Sequence, residues 1–406
     1  MGTRAGNRRS SIFLAADGRY YGFVTMGQRQ DGSIDRRKRT GATRAEVVRK
    51  VRALERLRDE RGALPAGHSP LLQTWLEDWL TATALRVRPS TLSGYTVDVT
   101  RHIVPAIGRH RLAALEPENI EYLYNVLLEK GLNAGTVHHV RRTLNKALND
   151  AVRRRRIPRN PVQLAHTPRY ETPAIEPLTV GEARRILEAA ETEPNGVAFM
   201  LAISLGLRRG EVLGLAWADV DLEAGRLSVK HQLERRNWRH GCVDPLACDE
   251  APAKCPQRKD GGLVLSELKT KQSRRTLPIP APLVVQLRLH RQRQREARIH
   301  AGSLWTDSKL VFTNLVGRPV APRDHSLHWT AFLERLGIRP ARLHDARHTA
   351  ATLLLVQGVD QRVVMGMFGW TSSAMTTRYQ HVVPELLDEA NRRMSDLLWG
   401  RDETIG

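Results

Sequence analysis

Two stretches, residues 62–70 rich in glycine and proline and residues 158–177 rich in proline, interrupt an otherwise periodic chain of 406 residues and cut it into three parts. Glycine has no strong φ preference and proline lacks an N–H, so neither stretch continues a regular element. Each part must then bury its own apolar stripe, and a chain of this length has room for two or three cores. The expected domains are residues 1–66, 67–165 and 175–406.

Residues 11–40 read as short strands separated by turns at Asp17-Gly18 and Asp31-Gly32, with a helix expected over 43–61. The strand holding Arg36, Arg37, Lys38 and Arg39 turns alternate cations to an exposed sheet face, suited to a DNA groove or simply to solvent. In the second part Leu72, Trp75, Leu76, Trp79 and Leu80 recur at helical spacing, which assigns the tryptophans to a core. Helices are expected over 91–103 and 117–130, and another begins near Asn133 and carries His138, His139, Arg141, Arg142 and Lys146. This part reads as a helical clamp for DNA. The third part opens on Thr179-Val-Gly-Glu182, which has capping-box spacing. Its helices flank β-rich segments at 227–230, 262–265 and 274–280. The expected fold class is mainly α with two small sheets (α+β).

The formal charge of +21 calls for a polyanionic partner, because neutralising phosphates releases condensed counterions. An anionic membrane would also attract it, but no run of about 18 apolar residues and no signal-peptide core occurs. The expectation is a cytoplasmic protein that uses no membrane. Three cysteines, all between Cys242 and Cys255, exclude a disulfide framework. With His240, the thiols of Cys242, Cys248 and Cys255 supply four ligands for a structural zinc ion inside an insertion at about 235–262. Gaps of five and six residues between the cysteines exceed those of common zinc loops, so free or oxidisable thiols stand as the alternative.

The chemistry lies in an ordered set: Arg208 in Gly-Leu-Arg-Arg-Gly-Glu, Lys269, His344-Asp-Ala-Arg347 and Tyr379. Two arginines hold nonbridging phosphate oxygens through paired hydrogen bonds that lysine does not reproduce. A neutral tyrosine, with a pKa near ~10, is a poor nucleophile, and surrounding cations favour its phenolate. A His-x-x-Arg pair is weak by itself, since His138, His139, His166 and His290 each begin one. Its setting distinguishes His344 and Arg347: Arg-Leu-His-Asp-Ala-Arg-His-Thr-Ala-Ala-Thr, then Phe368-Gly-Trp370, then Thr-Thr-Arg-Tyr379-Gln-His.

From about residue 178 to 398 the chain resembles the tyrosine recombinase family, the phage-type integrases. The resemblance implies a catalytic set of Arg208, Lys269, His344, Arg347, Trp370 and the nucleophile Tyr379, with Arg208 and Glu211 on one helix. Glu211 would orient Arg208 or His344, and Lys269, on a hairpin, would protonate the departing 5′-oxygen. Trp370 stands where the family more often has histidine. The implied activity is site-specific cleavage and rejoining of DNA through a 3′-phosphotyrosine, to integrate or excise a mobile element, with no cofactor required for catalysis. The implied partners are double-stranded attachment sites, a homotetramer on DNA, and DNA-bending and directionality factors. The implied layout is an arm-binding sheet domain, a helical core-binding domain and the catalytic domain. A noncatalytic DNA-binding regulator and a type IB topoisomerase are the competing readings. Leu386, Leu387, Ala390, Met394, Leu397 and Leu398 form an apolar stripe that needs a partner surface, either the chain's own catalytic domain or, as the resemblance implies, a neighbouring protomer.

Overall fold

A computed structural model describes residues 10–28, 34–61, 69–170, 176–242, 248–268, 271–370 and 394–395. Lys269, Tyr379 and all of the C-terminal stripe except Met394 lie outside the described residues. The chain divides into two compact units, Met1–Pro173 and Ala174–Gly406.

The first unit opens with three antiparallel strands, β1 (Ser11–Leu14), β2 (Tyr20–Gln28) and β3 (Ile34–Gly41), followed by helix α1 (Arg44–Arg61). Val24, Val47, Val51 and Leu54 form a small core between sheet and helix. Alternation turns Phe13, Tyr21 and Phe23 to the other sheet face, where Phe13 stacks on both partners. Arg36 and Lys38 lie on this face, their cations over the rings of Phe23 and Tyr21 at 4.7 and 4.0 Å. Arg37 and Arg39 have the opposite parity, across from Val24 and Gly22.

A second core gathers α2 (Leu72–Ala84), α3 (Pro89–Val97), α4 (Val104–Ile107), α5 (Pro117–Glu129) and α6 (Ala134–Arg153). The tryptophans pack in the core as the spacing requires. Trp75 Nε1 donates to the Ala147 carbonyl at 3.2 Å, and Trp79 Nε1 to Asp150 at 2.7 Å. The helix expected over 91–103 is not uniform: α3 passes into one π turn, Asp98–Ile103. Within that wider turn the buried Asp98 carboxylate accepts from Thr143 and His139 of α6.

The second unit contains α7 (Val180–Ala190), α8 (Gly196–Ser204), α9 (Arg209–Leu213), β4 (Val220–Asp221), β5 (Arg226–Val229), β6 (His231–Arg236), β7 (Gly262–Glu267), β8 (Arg275–Pro278), α10 (Ala281–Ala301), α11 (Pro322–Arg335), α12 (Leu343–Val356) and α13 (Gln361–Phe368). Thr179 caps α7 through the expected box: Glu182 N–H donates to Thr179 Oγ1 at 3.1 Å, and Thr179 N–H donates to Glu182 at 2.7 Å. Helix α8 is apolar around its whole circumference and buried from Gly196 to Ile203, so it forms the axis of this core. Among the described residues three sheets occur where two were expected, because β6 and β7 pair as a ribbon apart from the β4-β5-β8 sheet. No helix among the described residues is long and apolar enough to cross a membrane.

His325 of α11 is buried against Phe199, ring centroids 5.1 Å apart, and among the described residues its Nε2 finds no hydrogen-bond partner. Burial, with His328 and Arg209 adding to it, pushes the imidazole down to about 4 from an ordinary 6.5. A depressed histidine stabilises the fold fully above its unfolded pKa, and that stability is lost as pH falls toward the folded pKa. Between pH 6.5 and about 4 the folded protein should therefore lose about 3 kcal/mol through this residue. His325→Phe keeps the ring and removes the titration. Denaturant melts at both pH values should show a shallower acid loss in the variant, and identical losses would exclude His325 as a source.

Candidate active site

Arg208, expected inside a helix, instead caps one. Its backbone is extended (φ −69°, ψ 149°) and α9 begins at the next residue. Glu211, three residues on, accepts from the Arg208 N–H at 3.0 Å and from its Nη1 at 2.7 Å. Its side chain is fully buried while that of Arg208 is 36% exposed, so the carboxylate fixes the arginine from beneath and leaves it facing outward.

A second arginine, not anticipated from sequence, completes this arrangement. Arg275 of β8 donates Nη2 to Glu211 Oε2 at 2.9 Å, Nη1 to the Ser273 carbonyl at 2.9 Å, and Nε to the carbonyl of Met367 near the end of α13. Its side chain is only 6% exposed. The available signal was parity: Arg275 alternates with the buried Leu277 and so points inward. Burial by itself would raise the Glu211 carboxyl, but Arg275 first and then Arg208 outweigh it and hold Glu211 below the ordinary carboxylate range. The expectation that Glu211 orients Arg208 or His344 resolves to Arg208, together with Arg275.

His344 and Arg347 share one face of α12 at a spacing of three residues. Arg347 is almost wholly buried, and its guanidinium donates to the carbonyls of Gly206 and Phe368. It lies over the Phe368 ring at 4.8 Å and the Trp370 ring at 5.6 Å. Gly206 is required here: its φ is +61°, and a Cβ would meet the Phe368 ring at 2.2 Å. Trp370 is buried against Phe368, and its backbone N–H donates to the Met365 carbonyl at 3.0 Å.

His344 is lowered from its ordinary value, first by burial, then by the charges of Arg347 and Arg208. Burial and both charges favour the uncharged form of the imidazole. His348, one turn on and 4.8 Å from it edge to face, is pushed down to about 4 by burial and by His344.

The structure thus brings together Arg208, Glu211, His344 and Arg347, with Trp370 packed on Arg347. Lys269 and Tyr379 are outside the described residues. The chain up to the lysine is pinned, since Leu268 is buried and its N–H donates to the Lys230 carbonyl at 3.2 Å. Of the cations assigned to DNA, Arg142 and Lys146 lie exposed on α6, opposite its buried stripe. His138 is half-buried and paired with the Pro168 carbonyl at 2.8 Å, and Arg141 is half-buried as well. His240, Cys242, Cys248 and Cys255 also converge, away from this site in sequence, in the insertion between β6 and β7.

Two family models match the chain: the phage integrase family over residues 176–385, and the phage integrase N-terminal SAM-like domain over 71–128. An integrase from Saccharopolyspora erythraea is 38% identical, the alignment covering 98% of each chain. The Tn1549 transposon integrase, solved with transposon right end DNA, shares the fold with a TM-score of 0.63 at 19% identity, over 80% of this chain and 99% of that one. A lambda integrase tetramer bound to a Holliday junction aligns with a TM-score of 0.53 at 17% identity, over 93% and 96% of the two chains.

Removing one partner from a buried charge pair commonly costs about 3–5 kcal/mol, because the remaining charge is left uncompensated. Arg275→Met should therefore destabilise the protein by about that amount. Glu211→Gln should do the same, and the double variant should lose less than the sum of the two. A denaturation double-mutant cycle reads the coupling, and additive losses would show that the two groups do not act as a pair.

Proposed function

Since the chain belongs to the phage integrase family and is a tyrosine-type site-specific recombinase, an enzyme that cleaves and joins DNA to integrate mobile elements, we propose that Tyr379 is its nucleophile and that Arg208, His344 and Arg347 surround the scissile phosphate. The observation that carries this reading is that Glu211 fixes Arg208 while the Gly206 and Phe368 carbonyls fix Arg347, which shares a face of α12 with His344.

In the proposed reaction the Tyr379 oxygen forms a bond to phosphorus and its proton passes to His344, which is uncharged and able to accept it. The bond from phosphorus to the 5′-oxygen breaks, and Lys269 supplies the proton to that leaving group. Arg208 and Arg347 neutralise the charge that develops on the nonbridging oxygens, and because both are already held by protein acceptors little reorganisation accompanies the step. Trp370 packs against Arg347 and offers an indole N–H to a phosphate oxygen. A 5′-hydroxyl from the partner duplex then reverses the chemistry, so the phosphodiester energy is conserved in the phosphotyrosine. The arginines fill the role that divalent ions have in metal nucleases, and catalysis requires no cofactor.

We assign residues 1–66 to arm-site binding, 67–165 to the core site and 175–406 to catalysis, in a homotetramer on double-stranded attachment sites, in the bacterial cytoplasm, with DNA-bending and directionality factors. The sheet face of Arg36 and Lys38 and the α6 face of Arg142 and Lys146 are the surfaces this assigns to DNA. Similarity to integrases along almost the whole chain favours recombinase over topoisomerase or noncatalytic regulator.

Tyr379→Phe should bind DNA normally yet form no covalent adduct on a nicked suicide substrate, read on a denaturing gel. Arg208→Lys and Arg347→Lys should each slow cleavage by roughly 10²-fold with saturating DNA. Trapping of the Phe variant, or wild-type rates in the Lys variants, would overturn these roles. Cleavage should also persist in EDTA.

Replacing Arg36 and Lys38 together by glutamine should weaken protection of outlying arm sites in a footprint and reduce the salt dependence of that binding, with core protection retained. Unchanged arm protection would leave these two residues as a solvated face.

A further inference from the structure

We propose that His240, Cys242, Cys248 and Cys255 bind one zinc ion, and that this ion is what folds the insertion between β6 and β7. The ligand atoms of all four residues lie within 4.8 Å of one another. Cys242 Sγ is 4.0 Å from Cys255 Sγ and 3.8 Å from His240 Nδ1. A tetrahedral site with Zn–S of about 2.3 Å and Zn–N of about 2.1 Å has edges of roughly 3.6–3.8 Å, so the spacing suits an ion at the centre. It is far too long for a disulfide, whose sulfurs are about 2.05 Å apart. Three thiolates and one imidazole are a donor set that selects zinc among the abundant divalent ions.

The surrounding backbone is built to hold these ligands. The N–H groups of Gln257 and Gly241 donate to Cys255 Sγ, which a metal-bound thiolate accepts readily. Gly241, between two ligands, lies so close to the other limb that a Cβ would sit 1.9 Å from the Gln257 carbonyl oxygen. Arg239 and Lys259 exchange reciprocal N–H to carbonyl bonds of 2.9 Å, closing the base of the loop. Gaps of five and six residues between the cysteines therefore do not prevent their convergence.

Burial supplies the second argument. Among the described residues from 237 to 261, Cys255 alone is buried. With no apolar core among its described residues, the segment gains little from burial to offset its ordering entropy, and a structural zinc ion supplies free energy of that kind. The insertion joins the ends of β6 and β7 remote from Leu268, so the ion would clip the outer end of the ribbon whose inner end leads into Lys269.

The test uses the full-length protein purified without chelator and kept reduced. Elemental analysis should find about one zinc per chain. After chelation, added Co²⁺ should give thiolate charge-transfer absorption and intense tetrahedral d–d bands. Limited trypsin digestion with mapped products should show cleavage after Lys254, Arg258 and Lys259 rising on chelation and falling when zinc is restored. Cys242→Ser and Cys255→Ser should each lose the cobalt spectrum. Substoichiometric zinc with a cobalt spectrum lacking thiolate bands would overturn the proposal, as would full zinc retention by either variant. If a variant fails to fold, the wild-type cobalt spectrum decides.

Discussion

The buried carboxylate of Glu211 accepts from two guanidiniums, and the active-site framework depends on that double pairing. A lone carboxylate in this position would cost several kcal/mol in lost hydration. Arg208 and Arg275 together offset that cost, both donating to the one carboxylate. The pairing also ties together three parts of the fold. Arg208 is the cap of α9, Arg275 belongs to β8, and Arg275 in turn grips the Met367 carbonyl near the end of α13. One ion triad thus joins the start of a helix, a sheet and the end of another helix.

The two arginines differ in exposure, and that difference separates their roles. Arg275 is enclosed, whereas Arg208 keeps about a third of its side chain accessible. Arg347 is held differently, by two backbone carbonyls and two aromatic rings. Burial of His344, and then the charges of Arg347 and Arg208, favour its unprotonated form. In the proposed reaction this would let His344 accept the Tyr379 proton beside the positive charge of the arginines.

Positive charge elsewhere follows a simpler rule. Arg142 and Lys146 of α6 lie opposite its apolar stripe, and the cations of β3 alternate with the sheet pleat. On the outer face of the N-terminal sheet, Arg36 and Lys38 rest over aromatic rings, which shortens their effective reach but holds them in a defined array.

Much of this was legible in the sequence because it is local. The capping box at Thr179, the tryptophans of α2, the helix after β3 and the charged face of α6 all follow from spacings of two to four residues, within which side chains on one element meet. The motif around His344 and Arg347 and the Gly-Leu-Arg context of Arg208 carried the family by their order along the chain. Tertiary structure decided the rest. Arg208 reads as a helix-interior residue until α9 is seen to start after it. Arg275 became a partner of Glu211 across 64 positions, and a separation of that kind is closed by strand pairing and by burial, which no local period encodes. The sequence offered His240 and the three cysteines as one zinc ligand set or as free thiols, and the folded path of the insertion brings their four donor atoms within 4.8 Å of one another.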